Sequence, residues 1–325
     1  MVRMAGLILG MAMLMPRVAA AQDKVAFLMD WIPSGEHAAY YSGWQRGIFA
    51  KHGIDVTISR GYGSGDTVTK VAAGSAQFGV ADVAAVLTAR MRAEVPVKSI
   101  MAIYTYSPHS LFVLQSSGIT GFKGLEGKKI AITPGNSHKF YFPEVARRAG
   151  TDPDKISWVN TDASAMASLL ISKRVDAAPF YAIHEYYINK AAEKAGEHIV
   201  ALPFVKTGFT IYAVTIMTTD GMLQKNPDLV SRFTAAVEES FAWARDNQVE
   251  ACRLHIQRNP EVEQDDCEHS LARVMEYTFN PIQARTGTGK FDPAQLAFTW
   301  SVVAESQGLD ATRDISGAID TSHLP

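Results

Sequence analysis

The chain carries one structural unit written twice. The first copy runs KVAFLMD (strand), a loop, AAYYSGWQRGIFAKHG (helix), IDVTISR (strand), GYGSGD (loop), TVTKVAAGSA (helix) and QFGVAD (strand). The second runs KKIAIT, PGNSHKFYF, PEVARRAG, TDPDKISWVN, TDAS, AMASLLISKR and VDAAPF in the same order, and residues 68–80 align without gaps on 165–177. Strands alternating with helices at this spacing predict mainly parallel sheets covered on both faces, an α/β fold of two similar lobes. Gly53 and Gly150 stand where a helix C-terminus wants glycine. Pro143 fits the first turn of its helix, where a missing N–H costs nothing.

Two stretches link the copies. SIMAIYTYSPHSLFVLQ reads as two extended runs broken at Ser107-Pro108, and ALPFVKTGFTIYAVTIMTT as two runs broken at Gly208. Two extended segments passing between lobes make a hinge, expected at residues 104–110 and 203–212. The lobes are then 22–105 plus 208–325, and 109–203. The C-terminal region is mostly helical in pattern and is expected to pack on the first lobe.

In open α/β sheets, ligands bind beyond the carboxyl ends of the strands. Here that rule selects loops 30–38, 61–66 and 82–84 in copy one, and 134–142, 160–164 and 179–181 in copy two. Two lobes facing each other with these loops inward enclose a cleft. The candidate ligand-binding residues are Asp30, Trp31, Glu36, His37, Tyr40, Ser64, Gly65, Asp66, Asp82, Ser137, His138, Phe180, Tyr181 and Glu185. Trp31 follows directly on a strand end and suits a stacking platform for a flat ring. The tyrosines inside the helix 38–49 are more readily core, and Asp66 serves equally as the N-cap of a helix beginning at Thr67.

Acids outnumber bases among these residues. A buried carboxylate needs donors, so Asp30 or Glu185 suits a ligand that offers ring N–H and amino groups better than an anion. A competing reading rests on Ser64-Gly65 and Ser137, which precede helix N-termini able to hold an anion. HEYYI (184–188) has isoleucine where an H-E-x-x-H zinc site needs its second histidine. RTGTGKF lacks the first P-loop glycine and the hydroxyl residue after Lys290. No catalytic group, metal or cofactor is called for.

Composition bounds the partners. A net charge of −2 gives no reason to expect nucleic acid or an anionic membrane. The first 21 residues differ from the rest: Arg3, an apolar run MAGLILGMAMLM, then Ala19 and Ala21 at the −3 and −1 positions of an A-x-A site. That is the pattern of a secretory signal peptide cleaved after Ala21, and it predicts an exported, periplasmic protein. In an oxidising compartment Cys252 and Cys267, separated by a turn-like stretch containing RNPEVEQDD, could pair across a helical hairpin, provided their Cα atoms come within about 7 Å.

Four segments carry a family likeness: DWIPSGEHAAYYSGWQRGIFAKHGIDV, GSGDTVTKVAAGSAQFGVADVAAVLTA, GLEGKKIAITPG and VDAAPFYAIHEYY. In order, and over nearly the whole mature chain, they resemble solute-binding proteins of ABC importers with the NMT1/THI5-like type of domain. The resemblance implies the type II periplasmic-binding-protein fold, ligand capture by closure, and delivery by a monomer to permease subunits in the inner membrane. The DW-x-P-x-x-x-H opening, here Asp30, Trp31, Pro33 and His37, is similar to that of members binding thiamine pyrimidine precursors. Here SGE replaces the polar residue usual between the proline and the histidine. The cysteine-rich motif of the pyrimidine-synthesising relatives is absent, which counts against the remaining alternative, a secreted enzyme of that kind. The expected ligand is a small flat nitrogen heterocycle; sulfonate, nitrate or an aromatic acid is the alternative.

Overall fold

The computed structural model describes residues 21–325. Apart from Ala21, the expected leader peptide lies outside them. Among the described residues no helix is long and apolar enough to cross a membrane.

Ten strands form two sheets. The first contains β1 (Asp23–Leu28), β2 (Ile54–Ser59), β3 (Phe78–Asp82), β4 (Val97–Ala102) and β10 (Val214–Thr219), in the order β2-β1-β3-β10-β4. The second contains β5 (His109–Leu114), β6 (Lys129–Ile132), β7 (Ser157–Asn160), β8 (Ala177–Tyr181) and β9 (Ile199–Pro203), in the order β7-β6-β8-β5-β9. The two orders superpose position by position, as the sequence repeat requires. In each sheet three parallel strands come from the repeated unit. The fourth strand is antiparallel to both neighbours and belongs to a chain segment that has just arrived from the other lobe: β10 in the first sheet, β5 in the second. The chain therefore crosses between lobes at β4–β5 and β9–β10. The crossovers are bonded to each other where Ile103 and Tyr104 N–H donate to Val214 O at 2.9 and 3.0 Å.

In the first lobe, α1 (Ala38–Gln45) and α2 (Ile48–Lys51) split the long helix expected there at Gly47, whose φ is +72°. Then come α3 (Ser64–Ala72) and α4 (Val83–Ala93). The second lobe has α5 (His138–Arg148), α6 (Met166–Ile171) and α7 (Glu185–Glu193). Helix α5 starts inside the segment expected to be a loop, so Pro143 lies within the helix and not in its first turn. A proline there leaves the carbonyl of residue 139 without its helical donor. Gln307 Nε2 donates to Lys139 O at 3.2 Å and replaces it.

The C-terminal region begins with α8 (Asp220–Lys225), α9 (Pro227–Asp246), α10 (Gln248–Arg258) and α11 (Gln264–Thr278), then α12 (Pro281–Thr286) and α13 (Pro293–Gln307). Helices α9 and α10 pack on α1, as expected for the first lobe. Helix α13 does not follow that expectation, because it lies against both α4 and α5 and spans the lobes. The reason is its all-round apolar surface: Trp300, Val302, Val303 and Ala304 are buried in one cluster with Leu87 of α4 and Val145 of α5. Helix α11 also meets the second lobe. Lys190 of α7 places its ammonium 2.8, 2.9 and 2.8 Å from Glu263, Asp265 and Asp266, and Tyr186 stacks on His269 with ring centroids 3.6 Å apart. The lobes are closed on each other.

Cys252 and Cys267 form a disulfide, with Cα atoms 5.7 Å apart, joining α10 to α11. Its position bears on the cleft. The loop carrying Glu36 lies on α11 so closely that a Cβ at Gly35 would fall 2.5 Å from Cys267 O; only glycine fits. For a loop of about 15 residues, chain-entropy arguments give a disulfide roughly 3 kcal/mol. The Cys252→Ser/Cys267→Ser protein is expected to lose about that much in urea unfolding. An unchanged midpoint would show that packing alone holds the hairpin.

Candidate functional site

A cavity with about 330 Å³ of empty space lies between the lobes at the carboxyl ends of β1, β2, β6 and β8. The first lobe lines it with Asp30, Trp31, Glu36, Gly63 and Ser64, and the second with Asn136, Ser137, His138, His184 and residues 179–181. Eight of the fourteen expected residues therefore meet there: Asp30, Trp31, Glu36, Ser64, Ser137, His138, Phe180 and Tyr181.

The other six stand elsewhere. His37 is behind the wall, its Nε2 3.5 Å from Asp30 Oδ1. Tyr40 is core, edge-on to Phe27 and Phe241. Gly65 is on the lip, where its N–H donates to Gly135 O of the other lobe at 3.0 Å. A Cβ on Gly65 would stand 3.1 Å from Gly135 Cα, so the lips meet backbone to backbone because neither residue has a side chain. Asp66 does not line this cavity and is not an N-cap: α3 begins at Ser64, and Asp66 in its first turn pairs with Lys70 at 2.7 Å. Asp82 caps α4, accepting from Ala84 N at 2.8 Å. Glu185 is exposed on the first turn of α7, and the preceding residue, His184, turns to the cavity instead.

Each carboxylate of the first lobe has a different set of partners. Glu36 is fully engaged: Tyr104 OH donates to Oε1 at 3.2 Å, and His184 Nε2 lies 2.9 Å from Oε2 across the cleft. Burial pushes its carboxyl up, but the hydrogen bonds from His184 and Tyr104 outweigh burial and hold it below the usual carboxylate range. Asp30 is poorly engaged. Its carboxylate has only two long bonds, from His37 and Ser64, both 3.5 Å. Burial, against the pull of His37, raises its pKa. Asp82 is wholly buried and accepts from Tyr141 OH of the second lobe at 2.6 Å. His109 Nε2 comes within 3.4 Å of Asp82 Oδ2, but that nitrogen is closer to Ser137 Oγ, at 3.1 Å, and Oδ2 is left without a hydrogen bond. Burial lifts the Asp82 pKa to about 7 in spite of the Tyr141 and Ala84 bonds.

The second lobe answers with imidazoles. Burial drives His109 well below the ordinary histidine range and His138 down to about 3, so both rings are neutral at pH 7. His138 spans Asn136 Oδ1 at 2.9 Å and Phe180 O at 3.1 Å. Asn136 and His184 were missed in the sequence because the first is one residue among many in a loop and the second was weighed only as half of a zinc motif. No lysine or arginine lines the cavity. Among the described residues the one set of acids close enough together to share a metal ion is Glu263, Asp265 and Asp266, already filled by Lys190 and outside the cavity.

Comparison with known proteins gives the arrangement a family. Among curated proteins the chain is similar to a 4-amino-5-hydroxymethyl-2-methylpyrimidine phosphate synthase of Saccharomyces cerevisiae, THI11, 23% identical over 75% of this chain and 73% of that one. It is similar also to the riboflavin-binding protein RibY of Chloroflexus aurantiacus (23%, over 95% and 88%). The formylaminopyrimidine-binding protein of Halalkalibacterium halodurans is a third relative (22%, over 80% and 79%). Among solved structures, the alkanesulfonate-binding protein SsuA of Xanthomonas axonopodis pv. citri superposes with a TM-score of 0.71 at 13% identity, covering 94% of this chain and 99% of that one. That likeness establishes the periplasmic-binding-protein fold. The family model described as NMT1/THI5 like matches residues 34–251, two thirds of the chain, and the protein belongs to that family.

Proposed function

We propose that the protein is an exported receptor of an ABC importer that closes on a small flat nitrogen heterocycle of the pyrimidine class and hands it to permease subunits in the inner membrane. The observation that carries this reading is the state of Asp30: a buried carboxylate with two weak bonds, in a cavity without a cation. Such a group calls for a ligand that donates. A ring amino group does so; a sulfonate or nitrate brings a second negative charge. Trp31, Phe180 and Tyr181 supply apolar walls for a planar ring. The closed cavity is small and suits a single ring better than a flavin. Two of the relatives carry pyrimidines in their names, which supports the same class.

A thermal-shift screen of aminopyrimidines, flavins, alkanesulfonates, nitrate and aromatic acids tests it. A ligand at 100 times its Kd stabilises by about 2.7 kcal/mol, and aminopyrimidines are expected to give the largest shift. A shift with sulfonates alone would overturn the ligand class while leaving the receptor role. The name of the yeast relative keeps an enzymatic reading open to the same preparation: release of a pyrimidine phosphate on incubation would replace the receptor reading.

A further inference from the structure

We infer that His184 is a specificity-determining residue of the cleft, taking a hydrogen-bond donor from the ligand on the second lobe as Asp30 takes one on the first. The inference rests on the receptor reading above and adds the ligand's donor pattern to it.

His184 ends the turn between β8 and α7, is only 3% exposed, and lines the cavity. Its Nε2 is 2.9 Å from Glu36 Oε2. A carboxylate can only accept, so Nε2 carries the hydrogen, and a neutral imidazole then has a bare lone pair on Nδ1. That Nδ1 is buried and has no partner in the protein. The rings around it cannot serve. Tyr181 is nearly parallel at 6.2 Å with its hydroxyl 3.3 Å from Ser137 Oγ; Phe180 has no donor; Tyr187 is tilted at 5.4 Å. They fix the ring's orientation and leave its acceptor open. Buried acceptors in native proteins have donors, and the remaining source is the ligand.

Two open acceptors, Asp30 on one lobe and His184 Nδ1 on the other, select a molecule with two donor groups. A ligand bonded to both ties the lobes together, and one lacking either donor leaves a buried acceptor unpaired in the closed state. Recognition and closure are thus one event. Anions such as nitrate and sulfonate, which have no donor hydrogen, satisfy neither position.

The test removes ligand donors one at a time. Calorimetry would compare 4-amino-5-hydroxymethyl-2-methylpyrimidine with 4-amino-2,5-dimethylpyrimidine, which lacks the hydroxyl, and with 5-hydroxymethyl-2-methylpyrimidine, which lacks the amino group. Each deletion is expected to weaken binding to the wild-type protein roughly 10- to 100-fold. His184→Gln keeps an Nε2–H for Glu36 and removes the Nδ1 lone pair, so this variant should lose its sensitivity to one of the deletions and keep the other. Full sensitivity to both in His184→Gln overturns the inference. Independently, the ¹⁵N spectrum of His184 in the free protein should show an unprotonated Nδ1, and a hydrogen on Nδ1 overturns the inference whichever ligand class binds. If none of the three pyrimidines binds, the ligand class of the proposed function fails, and the ring's spectrum still decides the role of His184.

Discussion

Trp31→Ala is expected to weaken ligand binding by roughly 30- to 1000-fold, an effect of about 2–4 kcal/mol of the kind seen for a central aromatic anchor. Trp31 is the third residue after the end of β1, and Gly61 N–H holds its carbonyl at 3.1 Å. Its ring is half-buried, lines the cavity, and packs on the apolar cluster of the second lobe that contains Phe180 and Ile188. It therefore contributes twice, as a stacking surface for the ligand and as an apolar contact that forms when the lobes close. Folding should suffer less than binding, because the side chain is outside the main core of its own lobe. Trp31→Phe, which keeps a flat surface of smaller area, should recover affinity to within about tenfold of wild type. The measurement is a Kd for each variant beside a urea midpoint. An unchanged Kd in Trp31→Ala would take the residue out of the site, and a collapse of the midpoint would mean that the ring stabilises the fold and not the complex.

How far the sequence carries is set by how local each interaction is. The repeated strand–helix units were legible because strand alternation, turn glycines and helix stops are read within a few residues. The antiparallel insertion of β5 and β10 into their sheets was not, since pairing with strands distant in sequence leaves no mark on local periodicity. Asp30, Trp31 and Glu36 were found by the strand-end rule alone. Tyr40 and Glu185 went wrong for one reason: a helix turns about 100° per residue, and no strand-end rule fixes its phase. Tyr40 accordingly faces Phe27, while at the start of α7 the cavity receives His184 and not its neighbour. Asp82 satisfied the rule and still is no lining residue, because a carboxylate just before a helix is as useful to the backbone as to a ligand. Helix α13 misled through composition: an apolar stretch shows that it will be buried, but not between which partners.

Asp82→Asn is expected to stabilise the protein, by an amount that grows with pH. The folded-state pKa of Asp82 is lifted by burial to about 7, against an ordinary value of 3.8. A raised pKa means that the folded form holds the proton more tightly. Its contribution is fully present below pH 4 and is lost as the pH rises through 7, where folding must bury the ionised group. At about 1.4 kcal/mol per pH unit the loss reaches roughly 4 kcal/mol above pH 7. Asparagine removes the charge but keeps an oxygen to cap α4 and to accept from Tyr141, so little else changes. Buried His138 and His255, each with a pKa of about 3, work in the opposite direction. They stabilise the folded form above pH 6.5, where the unfolded rings are also neutral, and that benefit is lost as the pH falls. The raw stability profile thus mixes both slopes, but the difference between variant and wild type cancels the histidines. Urea midpoints at pH 4.5, 6 and 8 should show a difference smallest at the first and largest at the last. A flat difference would mean that Asp82 ionises at an ordinary pKa, with the Tyr141 and Ala84 bonds offsetting its burial. Closure of the lobes would then be tied by a carboxylate charged at every working pH, and the cleft would carry one more fixed negative charge against any anionic ligand.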